Sequence, residues 1–187
     1  MKVARNIGAD VMDFVAARMP AMFGQSIRDG KYAGLGVLNE AGELVAGVIF
    51  NEYWPTFGTM QVHLAADTPK WATRSVIKEI LGYAFKEAGV NKVWGATPHT
   101  LERVLRFNHG IGFTREGILS HHYGAQHAVI TRMFAKDYKK FYLDEGGMQA
   151  LKKHRAKIRQ VSIDNAETAK TWEAEKAAAP QHPPTRH

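Results

Sequence analysis

The chain has 187 residues, 45% of them hydrophobic, no cysteine and a formal charge of +7. That length suits one domain with modest extensions. The lack of cysteine excludes disulfides, thiolate metal sites and a cysteine nucleophile, and it suits a reducing compartment. No apolar run reaches the length of a membrane span. Asp10 and Asp13 interrupt the first apolar positions, which makes the N-terminus a poor secretory signal.

Val11, Met12, Val15, Ala16 and Met19 recur at helical spacing, so a helix is predicted from Ala9 to Met19, stopped by Pro20. A second short helix is predicted from Phe23 to Arg28, before the Asp29-Gly30 turn signal. The period then changes. Tyr32 to Leu38 and Leu44 to Tyr53 are β-rich runs joined by a Gly-containing loop, which predicts a hairpin. Thr59 to Ala66 alternates, with Met60, Val62 and Leu64 on one face and Gln61, His63 and Ala65 on the other.

Asp67-Thr68-Pro69 is a helix-opening sequence. Val76, Ile77, Ile80, Leu81, Ala84 and Phe85 form the stripe of the helix that follows, and Gly89 stands where a C-terminal cap belongs. Val90 to Ala96 reads as a buried strand and Leu101 to His109 as a helix. Phe113 to Ser120 and Ala128 to Phe134 read as closing strands around a loop from His121 to His127. The order of elements predicts an α+β domain with a mixed sheet, covering residues 1–135.

Residues 136–187 read as a basic helical extension and a Pro-rich tail. Between Lys136 and Gln160 eight Lys/Arg stand against three acids, a local excess of five positive charges. A basic helix is predicted from Met148 to Gln160. Its lysines suit an acidic protein or non-specific contact with nucleic acid; the plainer reading is a solvated helix face. Tyr138, Phe141, Tyr142 and Leu143 add an apolar cluster. The segment is therefore expected to be an interaction element outside the domain, through which copies of the chain or other proteins associate. Truncation after Ala135 is expected to leave a folded domain. His121, His122 and His127 share one loop with no paired carboxylate, so no metal site is expected.

The run from Lys70 to Phe85, then Gly89-Val-Asn-Lys-Val-Trp94, then Gly112-Phe-Thr-Arg-Glu-Gly117 and Val129-Ile-Thr-Arg-Met133, resembles the GNAT family of N-acetyltransferases. The resemblance covers Leu35 to Phe134. It is closest to ribosomal-protein-type acetyltransferases and to short GNAT-like proteins of tailed phages and prophages. It implies a splayed mixed sheet flanked by helices, with acetyl-CoA as cofactor and an amine, free or on a protein, as acceptor. It implies a location in the cytoplasm or in a phage particle. By carry-over, Leu64, Ala65 and Ala66 face the pantetheine arm, and a strand N–H near Ala65 meets the thioester oxygen. Lys70, Trp71, Ala72, Thr73, Arg74 and Thr100 fall around the phosphates. His63 and Glu52 are the candidate bases that deprotonate the amine.

Three departures from the family pattern stand out. The loop Thr68 to Arg74 contains no glycine, and Trp71 occupies a position where glycine is expected. Leu101 stands where many members carry asparagine, and Asn108 falls near an expected acid tyrosine, a role for which Tyr123 or Tyr83 are the replacements available. These departures imply weak or lost acetyl-CoA binding. They leave two readings open: an acetyltransferase with a degenerate cofactor loop, and a non-catalytic assembly component of a phage particle.

Overall fold

The computed structural model describes residues 1–19, 27 and 29–158. The short helix expected from Phe23 to Arg28 lies outside the described residues apart from Ile27, as does everything from residue 159. The elements in chain order are β1 (Lys2–Ala4), α1 (Gly8–Arg18), β2 (Ala33–Leu38), β3 (Leu44–Trp54) and β4 (Thr59–Ala66). Then come α2 (Arg74–Gly82), β5 (Lys92–Pro98), α3 (Glu102–Gly110), β6 (Thr114–Tyr123) and β7 (Gln126–Phe134). A short α4 (Ala135–Tyr138) widens into a π turn at Lys139–Leu143, and residues 147–158 form α5.

One sheet of seven strands holds the molecule together, in the order β1-β2-β3-β4-β5-β7-β6. All pairs are antiparallel except β4 with β5. That parallel step needs a crossover, and α2 supplies it. The helix begins where Thr73 caps it, its hydroxyl accepting from the Val76 N–H at 3.4 Å. Val76, Ile77, Ile80 and Leu81 face the sheet and are buried in the main core with Val48, Phe50, Met60 and Val93. On the opposite face, α1 buries Val11 and Val15 against Ile49 and Ala65. The Arg18 guanidinium binds both Asp67 carboxylate oxygens, at 2.8 and 2.9 Å, and fastens the end of α1 beyond the end of β4.

Two strand readings are revised. β1 is only three residues long, too short to show a period, so it is absent from the sequence reading. The expected His121–His127 loop is mostly strand: Tyr123 pairs with Gln126 across a two-residue turn.

The segment after Ala135 belongs to the main core. Tyr138, Phe141, Tyr142 and Leu151 are buried in the cluster that α2 covers, and only Leu143 of the expected apolar patch is exposed. Three hydrogen bonds fix it. Tyr138 donates its hydroxyl to the Lys78 carbonyl at 3.0 Å, Tyr142 to the Ile111 carbonyl at 2.8 Å, and Arg155 Nε to the Gly110 carbonyl at 2.6 Å. Gly112, at φ 106°, leaves room for the Phe141 ring; a Cβ there would stand 2.8 Å from it. An apolar cluster just past a closing strand reads equally as a docking patch or as core; the burial makes it core.

Each such side chain contributes about 1.5–3 kcal/mol by burial, and a domain's whole margin is about 5–15 kcal/mol. Truncation after Ala135 is therefore expected to abolish cooperative unfolding, checked by thermal melts followed by circular dichroism. Gly112→Ala, strained in φ and crowded by Phe141, is expected to lower stability by about 1–3 kcal/mol in a denaturant titration. A stable, cooperatively melting 1–135 fragment would show that the segment is dispensable.

Candidate functional site

β4 and β5 pair only along Thr59–Lys92, Met60–Val93 and Gln61–Trp94; beyond that they part. The gap opens earlier than the expected point after Ala66. At its apex Gly95 lies where a Cβ would approach the Val62 carbonyl to 3.2 Å, so the absent side chain lets the strands meet here before they diverge.

Which backbone groups face this gap follows from the antiparallel ladder. In such a ladder alternate residues turn both N–H and C=O to the partner, and the others turn both away. The Asp67 N–H donates to the Val45 carbonyl at 3.0 Å, and β4 pairs in unbroken register with β3 from Ala66 to Gln61. Ala65, His63 and Gln61 therefore spend their backbone groups on β3. Leu64 and Ala66 turn theirs into the gap. This corrects the carry-over at one residue: Leu64, not Ala65, offers the strand N–H. On the facing strand the Lys92 N–H donates to the Gly58 carbonyl and the His99 N–H to the His127 carbonyl, both at 3.0 Å. The same alternation turns Trp94 and Ala96 toward β4, and Ala96 lies beyond the last pair, on the open edge.

Sequence reasoning left one contributor without a place. Tyr123, at the end of β6, donates its hydroxyl to the Ala96 carbonyl at 3.1 Å, and burial pushes its phenol pKa up. The phenol thus sits at the open edge of β5, protonated at neutral pH. Its place depends on how the β6–β7 hairpin folds over β5, which no local pattern specifies. Tyr83, the other tyrosine considered, is half-buried in the π turn that continues α2 and packs on Phe50 at 5.4 Å between ring centroids, at the edge of the main core. Asn108 of α3 instead donates Nδ2 toward the hydroxyls of Thr97 and Thr131, at 3.4 and 3.5 Å.

His63 points to the α1 face of the sheet and is 7% exposed. Desolvation lowers its pKa to about 4, against which the Glu52 carboxylate pulls upward. His63 is therefore neutral at pH 7. Glu52 occupies the ladder break between Asn51 and Trp54 with φ 46°, a left-handed conformation unusual for a residue with a side chain. The two candidate bases are thus brought within electrostatic reach of each other.

The loop ahead of α2 is arranged differently from expectation. Trp71 is 2% exposed, its ring tilted at 46° against Phe107 with 5.7 Å between ring centroids, so its indole fills the core rather than a phosphate notch. A short 3₁₀ turn over Pro69–Trp71 points it inward. The loop satisfies several of its own N–H groups: Lys70 to the Thr68 hydroxyl at 3.3 Å, Ala72 to the Pro69 carbonyl at 3.3 Å and Thr73 to the Trp71 carbonyl at 2.8 Å. Arg74 turns away from the loop, donating to the Phe141 carbonyl and lying over the Tyr142 ring at 4.9 Å. Lys70 and Thr73 are exposed. Thr100 lies at the far end of β5, its hydroxyl donating to Gln126 Oε1 at 3.1 Å.

His99, His121 and His127 come together beside Tyr123, with ring centroids 5.0–5.2 Å apart. Their inner nitrogens are already engaged. His127 Nδ1 accepts the His121 N–H at 3.0 Å, and His99 Nδ1 the His127 N–H at 3.3 Å. Among the described residues no group of three or more His, Cys, Asp or Glu is arranged to hold a metal ion, and no helix is long and apolar enough to cross a membrane.

Two outcomes follow from this packing. Trp71→Gly is expected to destabilise the fold by about 3–5 kcal/mol, as large core deletions do, measured by denaturant titration. Improved acetyl-CoA affinity in a stably folded Trp71→Gly protein would contradict the placement. For His63, the folded pKa lies below the unfolded one, so the unfolded chain binds more protons between them. The stability this site contributes is complete above pH 6.5 and is lost as pH falls toward 4. The loss is about 3 kcal/mol. His63→Gln is expected to flatten that part of a stability–pH profile, and an unchanged slope would contradict it.

No protein-family model and no curated protein sequence matches the chain. Solved structures do. A variant of the spermidine N-acetyltransferase SpeG from Vibrio cholerae aligns with TM-score 0.58 at 13% identity, covering 74% of this chain and 97% of that one. A chimera of SpeG from Vibrio cholerae with hSSAT gives TM-score 0.60 at 14% identity, covering 73% and 97%. A dodecameric structure of the Vibrio cholerae spermidine N-acetyltransferase gives TM-score 0.57 at 14% identity, covering 73% and 95%. With the sheet order, the single parallel step and the parting of β4 from β5 already seen, the fold of this chain is the GNAT N-acetyltransferase fold.

Proposed function

We propose that this chain takes acetyl-CoA along the edge of β4 and serves as an N-acetyltransferase of tailed-phage or prophage type with a degenerate phosphate loop. The observation that carries the reading is the parting of β4 from β5 after Gln61–Trp94, with Leu64 and Ala66 turned into the gap. An unpaired strand edge is a site for an extended ligand rich in amides, and a pantetheine arm is one. The residues fit the group at this end. At the phosphate end they fit it poorly. The loop has no glycine, it consumes its own N–H groups, and Arg74 is held by Phe141.

When bound, acetyl-CoA supplies an activated acetyl group. The Leu64 N–H would stabilise negative charge on the acyl oxygen. Tyr123 holds a proton at the open edge of β5 that could serve the thiolate leaving group. Glu52 and His63 would be the groups available to take the proton of the acceptor amine. An amine acceptor is the class named for the SpeG neighbours, and spermidine is the probe that this suggests. The phage assignment rests on the sequence resemblance alone. Self-association is also proposed from the dodecameric neighbour, but the expected route through residues 136–187 loses its apolar anchors, which are buried within the chain's own core.

The second reading is a non-catalytic assembly component of a phage particle. What favours it is the self-satisfied loop and Asn108 in place of the expected tyrosine. Calorimetry with acetyl-CoA separates the two. Binding weak but measurable at about 1 mM ligand is expected, and Leu64→Pro, which removes the gap-facing N–H, is expected to abolish it while leaving the β3 ladder intact. Tyr123→Phe is expected to bind acetyl-CoA normally and to lower kcat with spermidine by about 100-fold at unchanged KM. No heat from the unaltered, folded protein would favour the assembly component.

A further inference from the structure

A basic groove lies between the α4 turn and α5 and includes Phe141 in its lining. It has a volume of about 550 Å³, and Lys140, Lys153 and Lys157 line it with Gln149, His154 and Asp137. We propose that this groove binds the phosphodiester backbone of a nucleic acid, independently of any acetyl transfer.

The charge is the first argument. Among the described residues no salt bridge engages Lys140, Lys153 or Lys157, nor Lys136, Lys139 and Lys152 around them. The one carboxylate in the groove, Asp137, is already shared with Arg132 at 3.5 Å and the Phe134 N–H at 3.3 Å. Exposed ammonium groups gathered from α4, its π turn and α5 make a local positive field that attracts a dense line of negative charge. Duplex DNA carries about one charge per 1.7 Å of axis, and lysine meets phosphate as a point charge without demanding fixed geometry.

The second argument is what the helix cannot do. Its apolar anchor is spent inside the chain: Leu151 is buried in the main core and His154 is bonded to the Phe113 carbonyl at 3.2 Å, while Met148 is exposed as a single side chain and makes no continuous apolar face. A helix that lies in a bilayer surface keeps an apolar face free for the lipid. The groove floor offers no exposed aromatic ring, since Phe141 is buried. Bases have nothing to stack on, so the contact reads phosphates and not sequence.

The test is fluorescence anisotropy on the full chain with a labelled single-stranded oligonucleotide and its mixed-sequence duplex, between about 50 and 200 mM salt. Expected is sequence-independent binding that weakens steeply with salt. In K140Q/K153Q/K157Q the slope of log K against log salt is expected to fall by about 2–3. These side chains are exposed, and an unchanged melt confirms that the triple variant folds. Polyglutamate and phosphatidylserine vesicles serve as competing polyanions. Absence of binding at the lowest salt, an unchanged salt slope in the folded triple variant, or equal affinity for polyglutamate or the vesicles would each overturn the proposal. Because acetyl-CoA is absent from the assay, its result leaves the acetyltransferase reading untouched.

Discussion

Two strands that run parallel for three residues and then separate are the constraint on which the rest of this molecule turns. A parallel step cannot be closed by a tight turn, so a helix must cross over it, and α2 covers the main core as it does so. Once β5 leaves, β4 is a central strand on one edge and an exposed strand on the other. Its backbone groups divide by parity. Those of Gln61, His63 and Ala65 hold the sheet together, and those of Leu64 and Ala66 are turned into the gap. Recognition by such an edge would rest on backbone geometry more than on particular side chains.

The C-terminal segment and the phosphate end are coupled through one side chain. Arg74 opens α2, where a guanidinium has both a helix N-terminus and a candidate phosphate position within its reach. Here it serves the carbonyl of Phe141 and the face of Tyr142. Those residues belong to the segment that Tyr138 and Tyr142 tie to the Lys78 and Ile111 carbonyls. Core formation therefore engages the cation that the family resemblance assigned to the phosphates. Trp71 shows the same preference: a large aromatic in a loop finds more favourable surroundings against Phe107 than at the surface.

The α1 face carries the electrostatic tension. A neutral, buried His63 stands within Coulombic reach of Glu52, and Glu52 is held in a left-handed conformation by the ladder break between Asn51 and Trp54. Bulges of this kind re-aim a side chain at the cost of local strain. Burial keeps the imidazole uncharged, since the low-dielectric surroundings disfavour the cation more than one carboxylate favours it.

By itself the sequence determined the elements and their order. The helical stripes of α1 and α2 and the alternation of β4 are local periodicities, so the apolar faces of Met60, Val62 and Leu64 were legible before any contact was known. The spaced motifs from Lys70 to Met133 carried the fold by resemblance. Tertiary structure alone decided the rest, because each remaining question concerns which neighbour a group meets. A strand's side-chain alternation does not say which of its two edges stays unpaired, so the choice of Leu64 over Ala65 waited for the β3 ladder. Nothing in the order of residues places the Tyr123 hydroxyl on Ala96, 27 positions away, or Phe141 against Arg74, 67 positions away. Trp71 and Tyr138 have the same composition whether they cover a surface or fill a core; burial among residues distant in the chain made them core.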